Sequence, residues 1–574
     1  MWLAIPLCMN LRQLLPAALA LVSAGAYAPT AHACGGFFCN ASQPVNQAAE
    51  RIIFSQNADG STTAVIQIQY SGPSESFAWM LPVVGSPDIS VSSNVAMAAL
   101  QNVSNPQYTL TTVVEGECDD GGSNGFFRGS SADSAGAPSE SPTSEDPEVT
   151  VVNSGSVGPY DFVIISVDNS AADVGLVATE WLQENEYDVS ELGRDRLVPY
   201  LESGMNLLAF RLTKGRDAGA IRPVVLNFGE GLPSIPLRPT AAAATDDMGI
   251  MVFVVGESRA IPANYLDLEL NEAAINWLQP NTNYGDVVTQ AANEAGGQGF
   301  VTEFVGESER FEDVVYPEFI EGQWESLQEL TGFQLVRQTA SLFQGWDGFS
   351  DAILAEVTKP ADVSEDDWNA NPVNYIFSTS SDFSDVNSAS FINRVQLEVI
   401  DPVLETAALF AGNRTVTRFF TTMSADEMTM DPVFDFNAEL EQELTNLHTA
   451  TRTIECSRGI TQGDATWRVL FDNGVTVRGE ANNWPLSDID TLPAMRTSRR
   501  IGTVGEGEII TDNSAQIVST VNESNRSHPR NYGNGLFAGG VCSVSSVGAA
   551  QGTGSLAMLL GLVGLVALRR RRNA

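Results

Sequence analysis

The amino-acid sequence predicts an α+β, β-rich chain, with antiparallel sheets or a sandwich-like core and several short helices. A signal peptide is expected before this body and a C-terminal transmembrane or sorting helix after it. Three observations carry the expectation. Short runs alternate apolar and polar residues with a period of two and are joined by turn residues, Asn57-Ala58-Asp59-Gly60 and Asp472-Asn473-Gly474. The strand-like run 160–167 is followed by a helix-period stretch at 173–183, where Val174, Val177, Ala178, Trp181 and Leu182 form one stripe. Both ends of the chain are apolar in the manner of targeting segments.

In chain order, residues 1–33 read as the signal peptide: Arg12, an apolar run at 14–26, and Ala31-His32-Ala33 directly before Cys34. Cys34 at the first mature position leaves lipid attachment open beside simple cleavage. Residues 34–117 form a β-rich N-terminal part of the main domain. In its run 62–70, Ile66, Ile68 and Tyr70 share a buried face while Gln67 and Gln69 face water. The run 77–81 is a strand that Pro82 ends or places at a sheet edge, with Trp79 in the core. A short helix is expected at 91–102. Residues 118–149 are a flexible acidic excursion rich in Ser, Gly and Pro, too poor in apolar side chains to order themselves.

Residues 150–299 form the α+β part of the main domain, with strands at 160–167, 207–212, 221–228 and 248–255 and a short helix at 271–278. Residues 300–511 form a second α+β region. Trp324, Leu327 and Leu330 mark one helix face there, and Phe349, Ile353 and Leu354 another. An acidic loop is expected at 361–371, and strands at 395–403, 415–421, 465–471 and 475–478. Residues 512–547 are a polar spacer holding Cys542, and residues 548–574 an apolar anchor helix with an arginine tail. The apolar run at 556–568 is short against the roughly 30 Å of a bilayer core. Arg569, Arg570, Arg571 and Arg572 after it would stay on the cytoplasmic side. The location implied is an exported chain: at the cell surface or outer membrane after C-terminal processing, otherwise membrane-anchored with its body outside the cytoplasm.

Charge narrows the partners. The chain has 71 Asp plus Glu against 30 Lys plus Arg, a formal net charge of −41, and only Lys214 and Lys359 are lysines. Such a surface repels nucleic acid and stays soluble by self-repulsion. In an oxidising compartment Cys34, Cys39, Cys118 and Cys456 permit three pairings. One joins Cys34 to Cys39 locally and Cys118 to Cys456 across the chain; other pairings, free thiols or a metal site remain open.

No motif of established chemistry stands out. The chain lacks His-Glu-x-x-His, Gly-x-Ser-x-Gly, a dinucleotide fingerprint and a phosphate loop. Histidine-based zinc chemistry would have only His448 and His528 after processing. Asp426, Glu427, Asp431 and Asp435 offer a weak Ca2+ site without EF-hand spacing. Arg211, Lys214, Arg216 and Arg222 are the densest basic cluster, read as charge balance or as a contact for an anion. No catalytic, cofactor-binding or metal residue is nominated, and no cofactor is required.

Two stretches resemble known sequences. Cys34-Gly35-Gly36-Phe37-Phe38-Cys39, Ala49-Glu50-Arg51-Ile52, Ile66-Gln67-Ile68-Gln69-Tyr70, Phe77-Ala78-Trp79-Met80-Leu81-Pro82 and Ile261-Pro262-Ala263-Asn264-Tyr265 resemble the bacterial exported family of unknown function DUF2330. The resemblance covers roughly residues 34–400 and implies no activity. Cys542, its spacer, the apolar run and the arginine cluster resemble the myxobacterial C-terminal (MYXO-CTERM) sorting signal. That resemblance implies a sorting protease as partner and Cys542 as the residue of cleavage or lipid attachment. The function expected is an envelope- or surface-anchored structural or binding protein without catalysis, meeting an envelope protein or polysaccharide. The alternative is an envelope hydrolase, a peptidase or glycosidase using paired carboxylates.

Overall fold

The computed structural model describes residues 46–531 except 72–77, 119–148, 188–190, 213–220, 379–385 and the single positions 169, 172, 186, 362, 413, 488 and 490. Its centre is a ten-stranded mixed sheet. From one edge to the other the strands are Glu508–Asp512, Met495–Arg500, Leu266–Leu270, Gly299–Glu307, Thr415–Met423, Ala244–Gly256, Asn46–Gln56, Ser61–Ser71, Val224–Glu230 and Asp88–Val91. Neighbours in this sheet come from remote parts of the chain. Asn46–Gln56 runs antiparallel to Ser61–Ser71 across a tight turn with Gly60 at φ 87°, yet parallel to Ala244–Gly256 on its other side.

Period-two alternation sends the central strands' side chains to two separate cores. Ile52, Phe54, Ile66, Ile250, Val252 and Phe419 pack on one face, against a four-stranded antiparallel sheet of Ala78–Val83, Asn206–Leu212, Tyr160–Val167 and Val149–Val157. Trp79 is buried there, stacked on Phe210 with ring centroids 5.5 Å apart. Pro82 lies in the edge strand of that sheet, where a missing N–H donor is tolerated. Ile53, Val65, Met251, Phe253 and Val416 pack on the other face beneath helices. These are Asn94–Ser104 and the helices between Glu309 and Ala408, with Trp324 and Phe343 at their centre. Each such side chain fully buried contributes about 1.5–3 kcal/mol.

A third core lies at the 266–270 side of the large sheet. Strands Gln107–Glu115, Leu447–Glu455, Thr466–Leu470 and Thr476–Glu480 form it with helices Tyr284–Glu294 and Ser514–Ser527. Gln107–Glu115 and Leu447–Glu455 pair in parallel, and the disulfide Cys118–Cys456 closes just beyond their ends, with Cα atoms 4.8 Å apart. Buried Glu455 accepts from Arg468 Nη1 and Arg478 Nη2, and Glu115 accepts from Arg468 Nη2 and Arg530 Nη1.

Several expectations need correction. Parallel pairs at 46–56/244–256, 266–270/299–307 and 107–115/447–455 make this a mixed α+β fold with several sheets, in place of the expected antiparallel or sandwich-like core. Alternation fixes which face a residue takes and says nothing about which strand lies beside it. Residues 395–403, expected as a strand, are helical, because buried Val395, Val399, Ile400 and Val403 recur at helical spacing. The acidic stretch 361–371 holds a helix, Glu365–Ala370, capped by Ser364 and seated by buried Trp368. The expected helix at 271–278 is a single 3-10 turn, Glu272–Ala274. Within 512–547, Ser514–Ser527 is a helix that buries Ile517 and Val521, one turn apart.

The membrane expectations gain no support from the described residues. Among the described residues no helix is long and apolar enough to cross a membrane. The long helical run 388–408 carries Arg394, Glu398, Asp401 and Glu405. The signal peptide at 1–33, the anchor at 548–574, Cys34, Cys39 and Cys542 lie outside the described residues, and nothing in the structure supports the leader or the transmembrane helix. The membrane contact, the sorting-protease partner and the surface or outer-membrane location that rested on them are therefore not carried forward.

The disulfide gives a direct test. Its loop spans 338 residues, and restricting so long a loop in the unfolded chain stabilises the fold by about 2–5 kcal/mol. A Cys118→Ser/Cys456→Ser variant should lose stability in that range in urea unfolding, and dithiothreitol should move the wild-type midpoint towards it while leaving the variant's unchanged.

Candidate functional site

A cleft opens where the large sheet meets the third core. It has a volume of about 400 Å3, and Arg51, Met251, Arg418 and Phe420 of the central strands line it. Tyr108 and Tyr284 stand at its wall, and Gln101 and Asn105 mark the end of the Asn94–Ser104 helix beside it. A shallower groove of about 770 Å3 shares Gly249, Gly285 and Phe420 with the cleft and continues along the Tyr284–Glu294 helix past Asp247, Asp286, Thr289 and Asn293.

Two strand irregularities shape this region. Thr302 pairs with Phe419 and Phe304 with Arg418, so Glu303 is the extra residue of a bulge, a device that re-aims a side chain. Glu303 thereby meets Arg418, Oε2 to Nε 2.7 Å, with both side chains buried. Its Oε1 accepts the hydroxyl of Tyr284. The second irregularity separates Gln47 from Ala49, opposite 244–249 of the partner strand, where Asp247 adopts φ 52°.

Arg418 also ties down the helix above it. Its Nη1 donates to Ser104 Oγ at 2.8 Å and its Nη2 to Asn105 Oδ1 at 2.9 Å, placing a cation at a helix C-terminus, where the dipole favours it. The other end of that helix is held by Asp347, whose carboxylate accepts from Ser93 Oγ, the Asn94 amide and Asn94 Nδ2. Asn94 Oδ1 in turn accepts from Gln67, and Gln67 Oε1 accepts from Arg51 Nη1 at 3.1 Å.

Arg51 is the cleft's unsatisfied charge. Its one side-chain partner is the neutral Gln67, and no acid pairs with it among the described residues. Burial first, then the neighbouring Arg418 cation, pull its guanidinium below the ordinary value, and no acid counteracts them. Glu303 is shifted the opposite way: burial raises its carboxyl, outweighing Arg418 and the Tyr284 hydrogen bond. Tyr284 is pushed well up by burial and by Glu303, and Tyr108 by burial, Glu272 and Glu303, so both hydroxyls stay neutral. Tyr108 stacks on His448 with centroids 4.6 Å apart and meets Trp277 edge-on at 4.9 Å; His448 Nδ1 lies 2.8 Å from Glu272 Oε1.

The candidates singled out from sequence lie elsewhere. Cys118 and Cys456 form their disulfide in the third core. Asp431 accepts from the Tyr200 hydroxyl and the Arg238 amide, and Glu427 from the Ser424 amide. No group of three or more His, Cys, Asp or Glu among the described residues is arranged to hold a metal ion, so the Ca2+ expectation at Asp426, Glu427, Asp431 and Asp435 gains nothing. Of the basic cluster, Lys214 and Arg216 lie outside the described residues. Arg222 is buried, donating to the carbonyls of Ser92 and Glu398. The three cleft residues that matter were legible only as anomalies: Arg51, Glu303 and Arg418 each place a charge inside an otherwise apolar or alternating strand.

The described residues form a mixed α+β protein with a charged, aromatic-walled cleft. Residues 28–324 match the family described as an uncharacterized protein conserved in bacteria, DUF2330, and the chain belongs to that family. The match takes in Arg51, Tyr108, Tyr284 and Glu303, stops before Arg418, and does not reach the sorting-signal resemblance at 542–572. No curated protein and no solved structure matches the chain.

The Glu303 shift predicts a pH dependence. Its folded value lies above the ordinary 4.5, so the native state holds this proton more tightly than the unfolded chain. The stabilisation is complete below about 4.5 and is lost as pH rises through the raised folded value. Urea midpoints across pH should show the wild type losing stability relative to Glu303→Gln over that window. Arg418→Met, which strips Glu303 of its counter-charge, should cost about 3–5 kcal/mol at neutral pH.

Proposed function

We propose that this chain is a binding protein without a reaction of its own, and that its cleft takes a small ligand bearing a carboxylate on Arg51. One observation carries the reading. In a chain with a net charge of −41, a half-buried arginine lines a cleft shared with Glu50 and Glu303, and no acid pairs with it among the described residues. Taking a cation out of water is unfavourable unless an opposite charge meets it, and a planar guanidinium matches a carboxylate with two parallel hydrogen bonds. Phe420, Tyr108 and Tyr284 supply apolar walls around this charge, the usual composition of a small-molecule site.

A hydrolase working through paired carboxylates is less well supported. Glu303 is the cleft acid with a raised carboxyl, but its Oε1 is taken by Tyr284 and its Oε2 faces Arg418. A general acid needs an oxygen free to reach the substrate.

The test is a thermal-shift titration of the full chain with N-acetyl-alanyl-alanine as a carboxylate probe and its C-terminal amide as control. The melting temperature should rise with the acid, stay flat with the amide, and stay flat with both in Arg51→Gln, since a ligand that binds only the native state stabilises it by mass action. A shift of equal size in Arg51→Gln would defeat the proposal, as would no shift at tens of millimolar acid.

A further inference from the structure

Resting on that cleft reading, we infer that the ligand is a short peptide with both termini free. Its carboxylate would sit on Arg51 and its amino group at Asp286 in the adjoining groove.

The cleft and the groove adjoin at Gly249, Gly285 and Phe420, and two charges left without a counter-ion in them among the described residues, Arg51 and Asp286, are of opposite sign. The cleft end has Arg51. The groove end has Asp247 and Asp286, and Asp286 has no cationic partner among the described residues. The third acid of the groove, Glu294, is already used: it accepts from the amides of Ala494 and Met495. A dipolar site calls for a dipolar ligand.

Length follows from the sheet. Arg51 lies opposite Met251, and Gly249 and Asp247 are two and four residues further along the same strand. At roughly 3.3 Å per residue, Gly249 and Asp247 lie about 7 and 13 Å along the strand from the level of Arg51, and Asp286 lines the groove together with both. An extended chain of two to four residues covers this span at roughly 3.3–3.6 Å per residue.

Two glycines, Gly249 and Gly285, lie on the surface between the ends. A Cβ added at Gly285 would meet nothing within 4 Å, and one at Gly249 would find only the Phe420 ring at 3.6 Å. Neither glycine is required by close packing, so their effect is to leave the depression open to a ligand. Gln101, Asn281 and Asn293 line it with amides that can both donate to and accept from peptide groups.

Net charge selects against the competing ligand classes. A chain at −41 repels free polyanions, while a peptide with one carboxylate and one ammonium has no net charge to be repelled. A neutral sugar would leave both Arg51 and Asp286 without a counter-charge. A polyamine would satisfy only the acidic end.

Isothermal titration of the full chain with Ala-Ala-Ala, N-acetyl-Ala-Ala-Ala and Ala-Ala-Ala-amide tests the assignment. Ala-Ala-Ala should bind; acetylation should weaken it at least tenfold, and amidation should abolish binding. Asp286→Asn should remove the preference for the free amine while keeping that for the free carboxylate. Gly285→Leu should abolish binding while the melting temperature holds or rises, because leucine favours a helix more than glycine does. If the acetylated and free peptides bind equally, the peptide assignment falls and the Arg51 site stands. If no peptide binds, or Arg51→Gln binds as well as wild type, both fall.

Discussion

Glu303 and Arg418 meet inside the sheet, where neither has water to fall back on. A buried ion pair of this kind rarely stabilises a fold on balance, because desolvating two charges cancels most of their attraction. The rise in the Glu303 carboxyl has the same origin: burial outweighs the arginine beside it. What the pair supplies is position. It holds the bulge at Glu303, brings Tyr284 and its helix against the third core, and fixes the end of the Asn94–Ser104 helix through Ser104 and Asn105. Three layers that share no continuous apolar core are registered against each other at this point.

Arg51 is understandable only next to that pair. With Arg418 committed to Glu303, Arg51 has no share in the local negative charge and leans on Gln67 alone. Gln67 is itself held by Asn94, and Asn94 by Asp347, so the guanidinium is oriented by a relay of neutral amides ending on a helix-capping carboxylate. A group positioned so firmly yet left electrostatically incomplete is pre-organised for something outside the chain.

Much of the local structure was legible in the sequence. The strand 160–167 and the helix after it follow directly from their periods, and the structure adds Asp173 as the helix cap. So does the hairpin at 57–60, and so does Pro82 on an edge strand. The helices at 365–370, 388–408 and 514–527 were missed for one reason: each is read from a few apolar residues at helical spacing among polar ones, and composition alone points to loop, strand or spacer. Topology was beyond reach because the central sheet joins strands from residue 46 to residue 512. The same distance hid the cleft: Arg51, Glu303 and Arg418 are each more than a hundred residues from the next, and each alone is only an odd charge in a strand.

That oddness has a physical reading. In a strand buried on both faces, a charged side chain is costly unless a partner comes to it, so the strand charges that line this cleft call for one another or for a ligand. Two of them, Glu303 and Arg418, answer each other. Arg51, half-buried in the same cleft, has no such answer within the described residues. Pairing therefore separates the structural charges from the one that faces outward: Glu303 and Arg418 have their partners within the fold, and Arg51 stands where a ligand's carboxylate can complete it.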